Sequence, residues 1–365
     1  MTKSNGVDKI FLFSVIFLTA LGFTVFISAS MGILAKDSAQ FSSITFKQAF
    51  FGIILGFVAC FIFSKLNYKI FRKHALLIFI LSLVSMVLVF IPHVGISLNG
   101  AKRWVSILGI SFQPIALLNI GFVIYWSAWL SFVKEKVSQI KYGLLPLLAI
   151  LSVIGILCLA QPDTDSFLVI CATGVIMFLI AGGKFRDVFL LGLLGIICIA
   201  ILAFSRPYVM QRLQTFIDPS QNALGSSYQI QQSLIAIGSG QIFGRGLGQS
   251  IQKFKFLPES ISDSIFAVMG EELGFIGCIF VIGLFLFLVF RGFKIAIRAP
   301  DSFGGLLVVG IVILVMLQSF MNIASTLGII PVSGVPLAFF SQGGTAMFLV
   351  LAQIGMILNV SRYSK

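Results

Sequence analysis

Twelve carboxylates in 365 residues are few enough to be read one at a time. Asp8, Glu135, Asp187 and Asp301 share their segments with most of the basic residues. The other eight, among them Asp163, Asp165, Asp218, Glu259, Asp263, Glu271 and Glu272, fall where basic residues are sparse. An excess of carboxylates there suits general-base catalysis or cation binding. Asp263 stands just ahead of a long apolar run and reads either as a helix N-cap or as a reactive carboxylate at the run's mouth. Glu271 and Glu272 lie two turns inside that run, where an ionisable side chain is functional by default. At 100° per residue, Asp263 and Glu271 are about 80° apart and can share one lumen. Glu272 points away, toward a neighbouring helix.

Cations that could oppose a phosphate are Lys102 and Arg103 in Asn99-Gly100-Ala101-Lys102-Arg103-Trp104, and Arg245 and Lys253 around a glycine-rich stretch, Gly238 to Gly248. Arg is suited to bidentate phosphate contact. The alternative for Lys102 and Arg103 is snorkelling beside an interfacial Trp104. The glycines match neither a Walker loop nor a dinucleotide fingerprint, so they read as tight turns or as backbone amides facing an anionic headgroup. The five cysteines sit in apolar stretches with no CxxC pair, and the two histidines have no partner at ligand spacing, so no zinc site is expected.

The elements that must position these residues are membrane spans. Hydrophobic residues make up 58% and charged residues 10%, with a mean hydropathy of +1.09. A soluble domain carries about 25% charged residues. The net charge of +13 is distributed in short clusters between apolar runs rather than on one face or tail, which excludes a nucleic-acid partner. The sequence predicts an all-α polytopic fold of about ten spans, near 10–35, 48–64, 75–92, 112–133, 142–160, 166–183, 187–204, 265–290, 303–327 and 342–361. An even count puts both termini on one side. If that side is the cytoplasm, its segments hold 16 of the 25 basic residues, as the positive-inside rule requires. The short loops on the other side hold only Lys36, Lys47, Lys102 and Arg103, and those near 161–165 and 328–341 hold none.

The long segment 205–264 is then external. Arg206-Pro207 can start a helix and Asp218-Pro219 can end it. Ser226 and Gln229 have capping-box spacing ahead of Ile230, Leu234 and Ile235. Two surface or re-entrant helices are expected within a single membrane domain, 1–365.

Several stretches together resemble the FtsW/RodA/SpoVE family, the SEDS peptidoglycan glycosyltransferases. The fifty residues from Tyr228 to Gly277 carry the likeness most specifically, supported by NGAKRW at 99–104, FQP at 112–114, QPD at 161–163 and PVSGVPLAFFSQGG at 331–344. GRGLGQSIQK followed by LPE is closer to the division members (FtsW) than to the elongation members. The resemblance implies a ten-helix fold in a bacterial inner membrane and an external active site acting on lipid II, with undecaprenyl diphosphate as leaving group. It implies Asp263 as the catalytic carboxylate. Combined with the residue reading, it puts Lys102, Arg103, Gln113, Asp163, Arg245, Lys253, Glu259, Glu271, Ser341, Gly343 and Gly344 in the substrate site. No fixed cofactor is required, with room left for a divalent cation, Mg²⁺ or Mn²⁺. The implied partners are a class B penicillin-binding protein (the transpeptidase), other division proteins and membrane lipid.

The chain departs from the family pattern. After FQP the family's glutamate and lysine positions hold Ala116 and Asn119, which leaves that cavity less polar. QPDLGT has become Gln161-Pro162-Asp163-Thr164-Asp165-Ser166, and the residues before Asp263 are Ser260, Ile261 and Ser262. A lipid-linked precursor transporter and a non-catalytic division scaffold are the rival readings.

Overall fold

The computed structural model describes residues 6–35, 37–98, 101–107, 110–205, 207–218, 226–254 and 256–363. Expectations placed on Lys3, Lys36, Asn99, Gly100, Arg206, Pro219 and Lys365 lie outside the described residues. Helices dominate: α1 Lys9–Leu34, α2 Ser38–Lys47 running through a wide π-turn at Gln48–Ile54 into α3 Leu55–Lys65, a short α4 Lys69–Lys73, and α5 Ala75–Val87. Then come α6 Pro114–Val133, α7 Leu144–Ala160, α8 Thr164–Ile180, α9 Phe185–Ser205, α10 Pro207–Ile217, α11 Ser226–Ser239, α12 Ile265–Ile297, α13 Ser302–Thr326 and α14 Gly344–Arg362.

Among the described residues, seven helical stretches are long and apolar enough to cross a membrane: 9–34, 38–65, 114–138, 185–202, 265–297, 302–326 and 344–362. Three shorter apolar helices, 75–90, 144–160 and 164–180, occupy the other expected spans. The helices are apolar on all sides because one face packs on protein and the other on lipid. Phe13, Phe132, Phe189, Phe290 and Ile297 accordingly point outward, while Phe11, Phe26, Trp126, Phe285 and Phe303 fill the interior. In the apolar windows of α6, α13 and α14, 67% of residues are buried, against 6% in α9, so the first three are inner helices and α9 is peripheral.

Both chain ends meet at one end of the bundle. Asp8 N donates to Ser361 Oγ at 3.1 Å, Arg291 pairs with Asp8 at 2.8 Å, and Tyr68 Oη donates to Asp301 Oδ2 at 2.8 Å. The opposite end carries what the all-α expectation omits: an antiparallel sheet of β1 Gly95–Leu98, β2 Ala101–Ile107 and β3 Ile110–Phe112, in that order. Ile96 faces Trp104 and Val105 faces Phe112 in its register.

Within α12 the backbone leaves the helix at Gly274, with φ +67 and ψ −168. The turn after α11 docks on the opened backbone. Phe275 N and Ile276 N donate to Gln241 O and Ile242 O at 2.9 and 3.2 Å, and Arg245 N and Gly246 N donate to Glu271 O and Glu272 O, each at 3.0 Å. These four bonds answer freed peptide groups with protein, the condition for irregular backbone at membrane depth. Glycine is required at 274 by the positive φ and by contact with the backbone of Gly244, where a Cβ would collide.

Candidate active site

Four elements converge on Asp263 at the sheet-bearing end: β2, the turn into α8, α10, and the 331–341 segment between α13 and α14. Asp263 is not the cap of α12; Ser264 takes that position. The Asp263 main chain is held instead by Asn322 of α13, whose Nδ2 donates to Asp263 O at 2.8 Å and to Val335 O at 2.9 Å. A Cβ on Gly334 would lie 3.6 Å from Arg103 Nη1 and 3.7 Å from Asp263 Oδ2, so bare backbone separates a guanidinium from the carboxylate.

The half-buried Asp263 carboxyl is pushed up from 3.8 to about 7 by burial, then by the charges of Glu259 and Asp165, with Arg103 and Arg212 pulling the other way. A base titrating near neutrality has the strength a proton acceptor needs at physiological pH. Asp263 lies on a small cavity with Gln229, Ser264, Ser325 and Thr326. On the other side of Gly334 opens a groove of about 730 Å³, its mouth included, lined by Gln113, Asn119, Ser166, Gln318, Ser341 and Gln353 among apolar side chains. Ala116 is on its wall. Among the described residues no acidic or basic side chain lines this groove, and Asn119 Oδ1 and Gln353 Oε1, buried side-chain oxygens of residues on it, have no hydrogen-bond partner.

Arg103 donates from Nε to Gln161 O at 3.3 Å and from Nη2 to Pro162 O, and stands 3.8 Å from Asp163. Asp163 accepts from Ser166 N at 3.4 Å at the start of α8. Burial raises its carboxyl, with Arg103 opposing. Asp165, one turn on, accepts from Arg212 Nη1 at 2.7 Å and from Gly334 N at 3.1 Å. Ser341 Oγ donates to Ser262 O at 2.6 Å and accepts from Leu337 N, which ties the 331–341 segment to the Asp263 turn. Glu259, with φ +49, accepts from Ser262 Oγ at 2.7 Å. Gly343 N donates to Gln48 Oε1 at 3.0 Å, while Gly344 lies against the Lys47 carbonyl, so α14 approaches the π-turn through glycine.

The structure therefore gathers Asp263, Arg103, Asp163, Glu259 and Ser341, with Gln113 on the adjoining groove and Gly343 and Gly344 behind it. It separates four others. Lys102 is exposed, whereas Arg103, the extra residue of a bulge between the paired Lys102 and Trp104, is turned to the carbonyls of Gln161 and Pro162, so the two do not form a pair of phosphate cations. Glu271 does not share the Asp263 lumen: it accepts from Ser250 Oγ at 2.5 Å, Ile251 N at 3.0 Å and Gln252 N at 3.2 Å, and lies 3.6 Å from Arg245. Lys253 is buried against Glu272 at 2.8 Å and donates to Gly248 O at 2.8 Å and Ser28 Oγ at 3.2 Å. Arg245, Lys253 and Glu271 thus belong to a cluster that holds the 245–253 turn to α12 and α1. Glu272 accepts from Ser28 Oγ of the neighbouring helix α1 at 2.6 Å. Sequence reasoning missed Arg212 and Asn322, which carry no local signal, did not single out Gly334 within the 331–344 motif, and counted Asp165 only among the external carboxylates and the departures from the family pattern.

Among the described residues no three His, Cys, Asp or Glu side chains are arranged to hold a metal ion. Asp165 is taken by Arg212 and Gly334; Asp163 Oδ1 accepts from Ser166 N with Arg103 nearby, while among the described residues its buried Oδ2 has no hydrogen-bond partner. Arg103 holds two backbone carbonyls of the turn into α8. Arg103→Ala is expected to lower stability by roughly 1–3 kcal/mol, by leaving those groups unpaired. Arg103→Lys should recover only part, because an ammonium lacks the planar fork. Thermal unfolding in detergent decides, and a wild-type melting curve for Arg103→Ala would reduce the arginine to an interfacial snorkel.

Comparison with known proteins places this geometry in a family. Residues 8–365 match the family described as Cell cycle protein, FtsW/RodA/SpoVE. The chain is 36% identical over 361 residues to a probable peptidoglycan glycosyltransferase FtsW of Geobacter sp. (strain M18), covering 99% of this chain and 98% of the relative. It is 35% identical over 364 residues to stage V sporulation protein E of Bacillus subtilis (strain 168), covering 100% and 99%. Among solved structures, a chain of a peptidoglycan synthase complex that coordinates polymerization and crosslinking superposes with a TM-score of 0.80 at 26% identity, covering 98% of each chain. The rod shape determining protein RodA of Thermus thermophilus gives 0.71 at 25% identity, again over 98% of each. Matched from end to end in sequence and in fold, the chain is a multi-pass membrane protein of the FtsW/RodA/SpoVE family.

Proposed function

We propose that this chain polymerises lipid II into peptidoglycan glycan strands during cell division, by β-1,4 glycosyl transfer with release of undecaprenyl diphosphate. The observation that carries the reading is the half-buried Asp263 carboxyl, raised to about 7, with Arg103 and Arg212 acting on its charge and only the Gly334 backbone between it and Arg103. Ionised Asp263 takes the proton of the acceptor sugar's 4-hydroxyl. That oxygen attacks the donor's anomeric carbon, the new C–O bond forms, and the bond to the diphosphate breaks with its electron pair on the leaving phosphate. An α-linked donor giving a β product inverts in one displacement, so no covalent enzyme intermediate is needed. The charge that grows on the diphosphate is met by guanidinium groups.

The excess of basic residues in segments on the side of the termini supports a cytoplasmic placement of both, and an external active site. A class B penicillin-binding protein is the partner we propose, because strands made outside the membrane must be crosslinked there. The testing experiment incubates the purified full-length chain with lipid II, alone and with that transpeptidase, and resolves the products by chain length. Glycan strands support the reading. Movement of lipid II across a vesicle membrane without strands would favour a transporter, and neither activity would favour a scaffold.

A further inference from the structure

Two arginines act on the charge of Asp263, and they are held differently. Arg103 is fixed by backbone carbonyls of the turn into α8. Arg212 comes from α10, an amphipathic helix, and is held by a side chain: its Nη1 donates to Asp165 Oδ2 at 2.7 Å. The same oxygen accepts from Gly334 N at 3.1 Å, and Gly334 is the glycine that faces both Arg103 and Asp263. Asp165 is 7% exposed and the Arg212 side chain 28%. One nearly buried carboxylate oxygen therefore joins α10 to the 331–341 segment beside the reacting carboxylate.

We propose that Asp165 is a positioning residue that holds Arg212 beside Asp263 and hands it to the diphosphate of the incoming lipid-linked sugar. The proposal rests on the polymerase reading. A guanidinium on a phosphate makes two parallel charge-assisted hydrogen bonds. Replacing the Asp165 carboxylate with a phosphate keeps an anion opposite Arg212 throughout. After the exchange Asp165 keeps the Gly334 N–H on Oδ2 and the Thr164 hydroxyl near Oδ1, and the phosphate contact must outweigh the cost of its unpaired charge. The exchange transfers α10 from protein to substrate, and Arg212 then lies where negative charge grows as the glycosyl–oxygen bond breaks.

The test measures binding of undecaprenyl diphosphate to the full-length protein in detergent micelles, with inorganic pyrophosphate as competitor. The chains compared are wild type, Asp165→Asn, Arg212→Lys, Arg212→Ala and the Asp165→Asn/Arg212→Ala double variant. Loss of one charge-assisted contact should weaken binding by Arg212→Ala about tenfold and remove most of the competition by pyrophosphate. Arg212→Lys keeps the charge and the fold but loses the fork, and should fall in between. Asp165→Asn removes the competitor for Arg212 and should tighten binding about threefold, while the double variant should match Arg212→Ala. In polymerisation, the lipid II concentration for half-maximal rate should shift in opposite directions for Asp165→Asn and Arg212→Ala. If Asp165→Asn and Arg212→Ala weaken binding alike, or neither changes it, the pair is a structural salt bridge and the exchange is wrong, though the polymerase reading stands. If wild type binds no undecaprenyl diphosphate, both fall.

Discussion

In Asp263→Asn, glycan strand formation from lipid II is expected to fall by roughly 10²–10⁴-fold, the usual contribution of a general base, with the fold intact. The amide is nearly isosteric and cannot take the acceptor's proton. Because Ser264 rather than Asp263 caps α12, and Asn322 holds the Asp263 carbonyl rather than its side chain, the substitution removes charge without removing a structural bond to either. Stability gives an independent check. A carboxyl raised from 3.8 to about 7 in the folded protein keeps a proton that the unfolded chain has already released. Wild-type stability therefore falls as pH rises through that window. The amide does not titrate, so at pH 8 the variant should melt no lower than wild type. A variant that folds and polymerises at the wild-type rate would remove Asp263 from the chemistry.

The largest structural effect is expected at Lys253. Its ammonium and the Glu272 carboxylate are both fully buried, 2.8 Å apart. Lys253→Met leaves Glu272 charged in the bundle with, among the described residues, the Ser28 hydroxyl and the Ser250 N–H to answer it. Breaking one side of such a pair costs roughly 3–5 kcal/mol, whereas replacing both sides with apolar groups is often neutral. Lys253→Met should thus lower the unfolding temperature sharply, and Lys253→Met/Glu272→Leu should regain most of the loss. If the single change is tolerated, the cluster does not hold the 245–253 turn against α1 and α12.

The spans are legible in the sequence because lipid demands a long apolar run wherever a helix crosses it, and the inner and outer helices are equally apolar. Which helix is inner is not legible for the same reason: α9 and α13 read alike but differ in burial. The sheet at 95–112 is hidden by its position between two spans. Its signal is Asn99-Gly100, the dipeptide favoured in two-residue hairpin turns, lying between the paired residues Leu98 and Ala101. Reading Lys102 and Arg103 as one cationic pair fails because Arg103 is engaged by the carbonyls of the turn into α8 while Lys102 stays exposed. The angular argument joining Asp263 to Glu271 fails because it continues the helix back through Asp263, whereas α12 begins at Ile265. The 249–253 turn also folds into the bundle and occupies the face Glu271 presents. Asp263 itself is found by motif, but its surroundings are not. Arg212, Asp165, Gly334 and Asn322 come from four separate parts of the chain, and only the fold brings them together.

The central claim is that Asp263 acts as a base whose ionisation is set near neutrality by burial and by the charges of Glu259 and Asp165. The rate of strand formation at limiting lipid II, followed from pH 5 to pH 9, tests it most directly. The account predicts a rate that rises about tenfold per pH unit on the acid side and levels off above an inflection near 7, where Asp263 is ionised. A profile flat between pH 5 and pH 8, in a protein whose Asp263→Asn variant is inactive, would contradict it.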